Sequence, residues 1–180
     1  NFTYKLSEDT EMFADLIFAN FAEKYPGSLT YEEFIADPRQ ANAENVLQDY
    51  GRFANYYRGA FGMRHRFGSR HEVSFNASAQ YRDLIHPIFN FLDQDTRTFA
   101  GEFRYAYGGS KHRFTAGFTP QVTLTGGRRF EKLGGVRGPQ AAHFDWVATN
   151  YGLFFEDEYD ITPSLTISVG GRFDRSKRGN

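Results

Sequence analysis

The stretch Glu72-Val-Ser-Phe-Asn-Ala-Ser-Ala-Gln-Tyr-Arg82 determines the fold class of this chain. The apolar positions in it, which alternate strictly with polar ones, are Val73, Phe75, Ala77, Ala79 and Tyr81. Because successive side chains of a β-strand point to opposite faces, this alternation predicts a strand with one apolar and one polar face.

Seven further segments show the same period of two. It is clear in 98–107, 112–124 and 165–174, has two exceptions, Phe154 and Asp157, in 151–159, and is looser in 2–6, 12–25 and 52–67. Pro120 interrupts one of the clear segments, and because proline cannot donate to a sheet ladder, it predicts a bulge or a strand end there. Together these segments predict eight strands.

The connections between the predicted strands alternate in length. Short polar turns are predicted at 7–10, 68–71, 108–111 and 161–164, and long connections at 26–51, 86–95 and 125–145. The first long connection contains the capping box Thr30-x-x-Glu33, which predicts one short helix that Pro38 ends. Short turns on one side and long loops on the other are typical of an antiparallel meander through an outer membrane.

Composition excludes several classes of function. The 180 residues contain no cysteine, which rules out disulfide scaffolds and thiolate sites, and the net charge of −1 gives no field that would recruit nucleic acid. A mean hydropathy of −0.59 and the lack of a long apolar run argue against a membrane-spanning helix. The 20 Phe and 11 Tyr nevertheless need a large apolar surface.

The apolar face cannot be the inside of a small soluble barrel. An eight-stranded barrel has an interior just wide enough for ordinary side chains, and here it would enclose Phe75, Tyr81, Phe99, Phe103, Tyr105, Tyr107, Phe114, Phe118, Phe155 and Phe173. A soluble β-sandwich remains the alternative. In a membrane, an Arg on the lipid face costs about 2–4 kcal/mol at mid-depth, so the charged face is predicted to face the lumen. The residues expected to line the lumen are Arg58, Glu72, Arg82, Glu102, Arg104, Arg113, Glu156 and Arg172.

The last two predicted strands resemble a hairpin that is common in TonB-dependent receptors. The likeness is strongest in the Thr162-Pro163 turn and in the ending Gly170-Gly-Arg-Phe-Asp174. Pro26-Gly-Ser-Leu-Thr30 and Ala36-Asp-Pro-Arg-Gln-Ala-Asn42 are similar to an extracellular loop of the siderophore receptors in that family.

The resemblance implies a protein of the Gram-negative outer membrane, in contact with lipid and lipopolysaccharide. Such receptors combine a barrel of about 22 strands with a plug domain, and import a scarce ligand such as a ferric chelate with energy delivered through TonB. Residues 1–180 would then be a single interior segment of the barrel, with the plug and the C-terminal strands outside it. The alternative is a self-contained small outer-membrane barrel with a structural or adhesive role.

Candidate binding residues lie in the third long connection. Arg128, Arg129, Lys132 and Arg137 could bind an anionic ligand by charge-assisted hydrogen bonds, or could be solvated loop cations that have no dedicated ligand. The five histidines show no spacing typical of a metal site, and no nucleophile motif is present. We therefore expect no metal site, no cofactor and no catalytic residues.

Overall fold

A computed structural model of the chain describes residues 1–179. The elements in chain order are β1 (Phe2–Lys5), β2 (Thr10–Lys24), α1 (Tyr31–Ala36), α2 (Ala43–Leu47), β3 (Gly51–Phe67), β4 (His71–Pro87), β5 (Phe91–Gly108), β6 (His112–Leu133), β7 (Val136–Thr162) and β8 (Leu165–Gly179). The strands form one sheet in the order β1 to β8, with every neighbouring pair antiparallel. The predicted all-β, up-and-down meander of eight strands is confirmed.

The sheet has an apolar face that other parts of the described chain leave uncovered. The ladder aligns Phe75 with Phe103 and Phe103 with Phe118, so large side chains form rows across the strands. Leu16 is 71% exposed and Phe99 is 50% exposed, whereas the buried apolar residues of the described chain are only Ala54, Leu84 and Phe130. We call the surface that carries Phe75, Phe99 and Phe103 the apolar face, and the opposite surface the polar face.

Two of the three predicted long connections are wrong. The connection predicted at 86–95 is only a three-residue turn between β4 and β5. The connection predicted at 125–145 consists mostly of paired strand, the end of a β6–β7 hairpin that turns at Gly134 and Gly135. Both glycines have positive φ, +55° and +84°, which suits a two-residue hairpin turn. β6 and β7 consequently reach 22 and 27 residues.

Pro120 neither ends its strand nor produces a bulge. β6 runs through it, and Pro120 lies opposite Tyr151 of β7 in unbroken register. On the β5 side the register is the same before and after the proline, from Ala100↔Gln121 to Phe103↔Phe118, and only the intervening pairs are missing from the ladder. The proline therefore removes local hydrogen bonding without shifting the strand.

The first long connection contains two helices where one was predicted. The capping box is confirmed, since the Thr30 backbone N–H donates to Glu33 Oε2 at 2.8 Å and the Glu33 N–H donates to Thr30 Oγ1 at 3.2 Å. α2 begins after Asn42, whose side chain accepts from the backbone N–H groups of Glu44 and Asn45. Asparagine is a favourable N-cap, but α2 has only five residues and shows little periodicity. Neither helix is long and apolar enough to cross a membrane.

The two ends of the sheet differ. We call the end that carries residues 25–50 and the tips of the β4–β5 and β6–β7 hairpins the loop end, and the opposite end the turn end. At the loop end Lys132 of β6 holds the three connections together. Its Nζ donates to the carbonyl oxygens of Pro87 (2.7 Å) and Ile88 (3.2 Å) and lies 4.1 Å from the centre of the Tyr50 ring.

Candidate ligand-binding site on the polar face

The ladder register aligns the charged residues of the middle of the sheet. Residues directly opposite in an antiparallel ladder lie on the same face. From strand to strand, such partners lead from Glu72 on β4 to Glu156 on β7, and from Arg104 on β5 to Arg172 on β8. All eight residues that were predicted to line a lumen lie on the polar face, namely Arg58, Glu72, Arg82, Glu102, Arg104, Arg113, Glu156 and Arg172.

Ion pairs hold many of these side chains. Arg58 Nη1 lies 3.3 Å from Asp15 Oδ1, and Arg172 Nη2 lies 2.8 Å from Asp174 Oδ1. In contrast, Arg82 Nε is buried and has no hydrogen-bond partner among residues 1–179. Within residues 1–179 the polar face thus combines ion-paired charges with guanidinium groups that have no ion pair, such as those of Arg82 and Arg104.

The strongest of these networks lies at the turn end. Arg113 donates from Nη1 and Nη2 to the two carboxylate oxygens of Asp160, at 2.6 and 2.9 Å, and from Nε to Glu158 at 2.7 Å. Thr166 Oγ1 also donates to Asp160, at 2.7 Å. The hydrogen bonds from Arg113, and then that from Thr166, lower the pKa of Asp160 to about 2.

The four predicted ligand-binding residues do not form one site, although two of them meet at Asp93, and they lie in strands, not in a loop. Arg128 and Arg137 both contact Asp93 Oδ2, at 3.1 and 3.5 Å, on the continuation of the apolar face. Lys132 is the contact between the three loop-end connections, and burial lowers its pKa below the usual range. Only Arg129 lies on the polar face. The register of β6 does not shift between Arg113 and Arg129, so these two odd-numbered residues share one face.

Arg129 lines a cavity of about 600 Å³ at the loop end of the polar face. The guanidinium carbon of Arg129 lies 5.4 Å from the centre of the Phe144 ring, and that of Arg178 lies 4.3 Å from the Trp146 ring. Gln94 of β5 adds an amide to the wall. We call Gln94, Arg129, Phe144, Trp146 and Arg178 the arginine pocket.

The cavity has an excess of positive charge, because its lining carries two arginines and one carboxylate, that of Asp145, which is hydrogen-bonded to His143 at 2.7 Å. Among residues 1–179, neither Arg129 nor Arg178 has a carboxylate within salt-bridge distance, unlike Arg128. A guanidinium held against an aromatic ring keeps its hydrogen-bond donors free at its edge, where they match a carboxylate or phosphate bidentately. Within the described residues no group of His, Cys, Asp and Glu is arranged to hold a metal ion.

Sequence reasoning missed Arg178, Phe144 and Trp146. The two aromatic residues could have been found by counting alternate residues along the strand. The odd-numbered residues of β6 lie on the polar face without a break from Arg113 to Arg129, and Gly127 and Thr125 among them pair with Phe144 and Trp146. The predicted loop at 125–145 ends the predicted strand before these positions. Arg178 lies on β8, beyond the last predicted strand boundary.

Comparisons with known proteins agree on the architecture. The crystal structure of the ferric citrate transporter FecA in the unliganded form is similar to this chain, with a TM-score of 0.83 and 16% sequence identity. The alignment covers 98% of this chain and 28% of that one, so this chain spans little more than a quarter of the transporter's length. A comparison with the curated proteins gives no match. The family model described as "TonB dependent receptor-like, beta-barrel" matches residues 1–180. The chain belongs to the TonB-dependent receptor β-barrel family, whose members lie in the bacterial outer membrane.

Proposed function

We propose that this chain forms part of the wall and the extracellular loops of a Gram-negative outer-membrane importer for a ferric siderophore or a similar scarce ligand. The observation that carries the proposal is the arginine pocket, in which two uncompensated guanidinium groups and two aromatic rings surround an open cavity. Ferric chelates with carboxylate or catecholate groups are anionic, so this pocket has the complementary charge.

In this proposal the polar face lines the lumen and the loop end is extracellular. Outer-membrane barrels have short periplasmic turns and carry their longer connections outside. The longest connection, 25–50, and the longest hairpin, β6–β7, both project from the loop end, which supports this orientation. The arginine pocket would then lie at the extracellular mouth of the lumen, where an arriving ligand is first met.

The remaining parts of the importer would lie outside these residues. The 28% coverage of FecA and the separation of β1 and β8 at opposite edges of the sheet support an arc of a larger barrel. A plug domain inside the barrel would couple transport to TonB, and lipid with lipopolysaccharide would contact the apolar face. Nothing in the described residues favours a self-contained small barrel, since β1 does not pair with β8 there.

The experiment is a pair of matched arginine variants in the full-length receptor. We expect Arg129→Gln together with Arg178→Gln to weaken binding of an anionic ferric chelate by about a hundredfold, because a hydrogen bond to a charged group contributes about 1.5–3 kcal/mol. Binding is measured with ⁵⁵Fe-labelled carboxylate, catecholate and hydroxamate chelates, and uptake with cells grown on the same iron sources.

Arg128→Gln is the control. Made together with Arg137→Gln, it removes the same two charges as the test variant, but from the opposite face and from side chains that already contact Asp93. We expect its binding and uptake to stay within about twofold of wild type. Equal losses in both variants would show that only the general charge of the loop end matters, and a wild-type receptor that binds none of the chelates would contradict the importer proposal.

A further inference from the structure

His86 of β4 differs from the other histidines of the described chain. The other four have side-chain hydrogen-bond partners, which are Thr10 for His65 (2.7 Å), Tyr105 for His71 (2.8 Å), Asp157 for His112 (3.0 Å) and Asp145 for His143 (2.7 Å). In contrast, the Nε2 atom of His86 is buried and has no hydrogen-bond partner among residues 1–179. A protonated ring would therefore bury a charged N–H donor that has no acceptor, which is costly.

The His86 ring lies at the loop end of the sheet, beyond its apolar face. That face ends at a polar row, in which Asn20 donates to Asn55 at 2.7 Å and Asn55 donates to Asp83 at 3.0 Å. His86 is three residues beyond Asp83, about 10 Å further towards the loop end. At this level the ring is surrounded by protein and water, not by hydrocarbon, so its charge can respond to the pH of the medium.

His86 contacts the residue that begins the connection 25–50. Its ring packs edge to face against that of Tyr25, with the ring centres 6.0 Å apart. The Tyr25 backbone N–H donates to the carbonyl oxygen of Tyr50 at 2.9 Å, and the Tyr25 carbonyl oxygen accepts from Asn45 Nδ2 at 3.1 Å. The two ends of the connection and α2 are thus joined at the residue that His86 holds.

The charged groups near His86 do not favour its protonation. The sheet register and the loop-end contacts place three cations and one carboxylate around it, namely Arg52 of β3, Glu23 of β2, which pairs with Arg52, Arg129 of β6 beyond Leu92 of β5, and Lys132 at the carbonyl oxygens of Pro87 and Ile88. Unlike His112 and His143, His86 has no carboxylate within ion-pair distance among residues 1–179. Burial, and then the charge of Arg52, lower the pKa of His86 below its usual value near 6.5, so the neutral ring predominates at neutral pH.

We propose that His86 is a pH switch that holds the connection 25–50 on the β4–β5 hairpin while its ring is neutral and releases it when the ring is protonated. Protonation places an unpaired charge in the contact with Tyr25, and release of the connection lets water solvate that charge. α2 would then leave the tip of the β6–β7 hairpin, where Leu47 lies against Gly135. Because the strands of this hairpin carry most of the arginine pocket, release would widen the approach to it. This consequence rests on the proposed function, whereas the switch itself does not depend on the ligand.

The direction of the pH dependence follows from the two states of the connection. The held state binds the proton on His86 more weakly than the released state, in which the ring is solvated and has its usual pKa near 6.5. Falling pH therefore favours release below that value. Since one proton is taken up, the ratio of released to held connection should rise by at most about tenfold per pH unit.

The test measures the mobility of the connection in the full-length receptor by electron paramagnetic resonance. A nitroxide is attached to Ala43→Cys, at an exposed position that begins α2, in a background without other reactive cysteines. We expect the label to become more mobile as the pH falls from about 8 to about 5. His86→Phe, which keeps a ring against Tyr25 but cannot be protonated, should abolish this change. Arg52→Gln should move the transition to higher pH, because it removes a cation that opposes protonation.

Matched controls separate His86 from general effects of acid pH. His143→Gln removes the other loop-end histidine, whose ring already has Asp145 as partner, and its transition should coincide with that of wild type. A label at Ser69→Cys in the β3–β4 turn, at the turn end, should show no change with pH. Label mobility at Ala43→Cys that is independent of pH, or that responds in His86→Phe as in wild type, would overturn the proposal. Ferric chelate binding at about pH 7.5, where the connection is held, reports separately on the importer.

Discussion

Arg128 and Arg129 are adjacent in sequence but have different environments, because consecutive residues of a strand point to opposite faces. Arg128 contacts Asp93 on the continuation of the apolar face, whereas Arg129 packs against Phe144 in the arginine pocket. At the residue scale, therefore, side-chain parity and not proximity in sequence decides which cation is available to a ligand. Asp160 shows the opposite case, a charge that is fully compensated.

Asp160 should make the stability of the barrel depend on acid pH. Its pKa in the folded chain is about 2, below its ordinary value near 3.8, because Arg113 and Thr166 donate to its charged form. A depressed pKa contributes stability above the ordinary value, and that contribution is lost as pH falls through the folded pKa. We expect Asp160→Asn to lower the urea midpoint of the full-length receptor at pH 7, and the difference from wild type to shrink between about pH 4 and pH 2.

Asp9→Asn is the matched control for that series. Asp9 lies in another turn at the same end, and its carboxylate makes no ion pair within residues 1–179. Its unfolding midpoint should follow the wild-type curve at every pH. A difference between wild type and Asp160→Asn that persists unchanged to pH 2 would contradict the role assigned to the Arg113–Asp160 pair.

At the scale of elements, the parts of the strands that carry the apolar face, here called the apolar belt, could be predicted from the sequence. The ends of the same strands towards the loop end could not. Within the belt, hydrocarbon on one side and polar groups on the other force strict alternation, as in β4 around Ala77. Above it both faces meet water, so Gly126 to Arg129 carry no apolar period although they are paired in β6. The register shifts around Phe130 further disrupt the pattern. The sequence therefore predicts a loop at 125–145, where the chain forms the end of a hairpin.

The β6–β7 turn should control the order of the first long connection. An ideal Cβ on Gly135 would lie 2.9 Å from the Leu47 carbonyl oxygen of α2, whereas one on Gly134 meets nothing within 4 Å. Both positions have positive φ, so either alanine substitution strains the turn by about 1–2 kcal/mol. We expect only Gly135→Ala to displace α2 as well, and to accelerate trypsin cleavage after Arg39 by about fivefold in the full-length receptor.

Gly134→Ala is the control in that experiment, since it shares the backbone strain without the contact. Its cleavage rate after Arg39 should remain near that of wild type. If both variants were cleaved equally fast, the strain of the turn, not the contact with α2, would determine the order of the connection.

At the scale of the whole molecule, the two edges of the sheet determine how this segment behaves alone. β1 has four residues and β8 has fifteen, so pairing these edges would leave most of the outward hydrogen-bonding groups of β8 unpaired. Each unpaired backbone group costs several kcal/mol in hydrocarbon, so neither the open arc nor a forced closure is tolerated in a bilayer. Alternation along each strand could predict the two faces, but only pairing across strands shows where the edges are.

We therefore expect the purified 180-residue chain not to fold as a monomer in lipid vesicles. In gel electrophoresis it should show no heat-modifiable band, and trypsin should digest it completely, while the full-length receptor shows the band and resists digestion. Unpaired edges predict in addition that the chain associates through β8, so that its oligomers grow with protein concentration. A monomeric, protease-resistant, heat-modifiable product would instead mean that eight strands can close by themselves, and would support a self-contained barrel over an arc of a larger one.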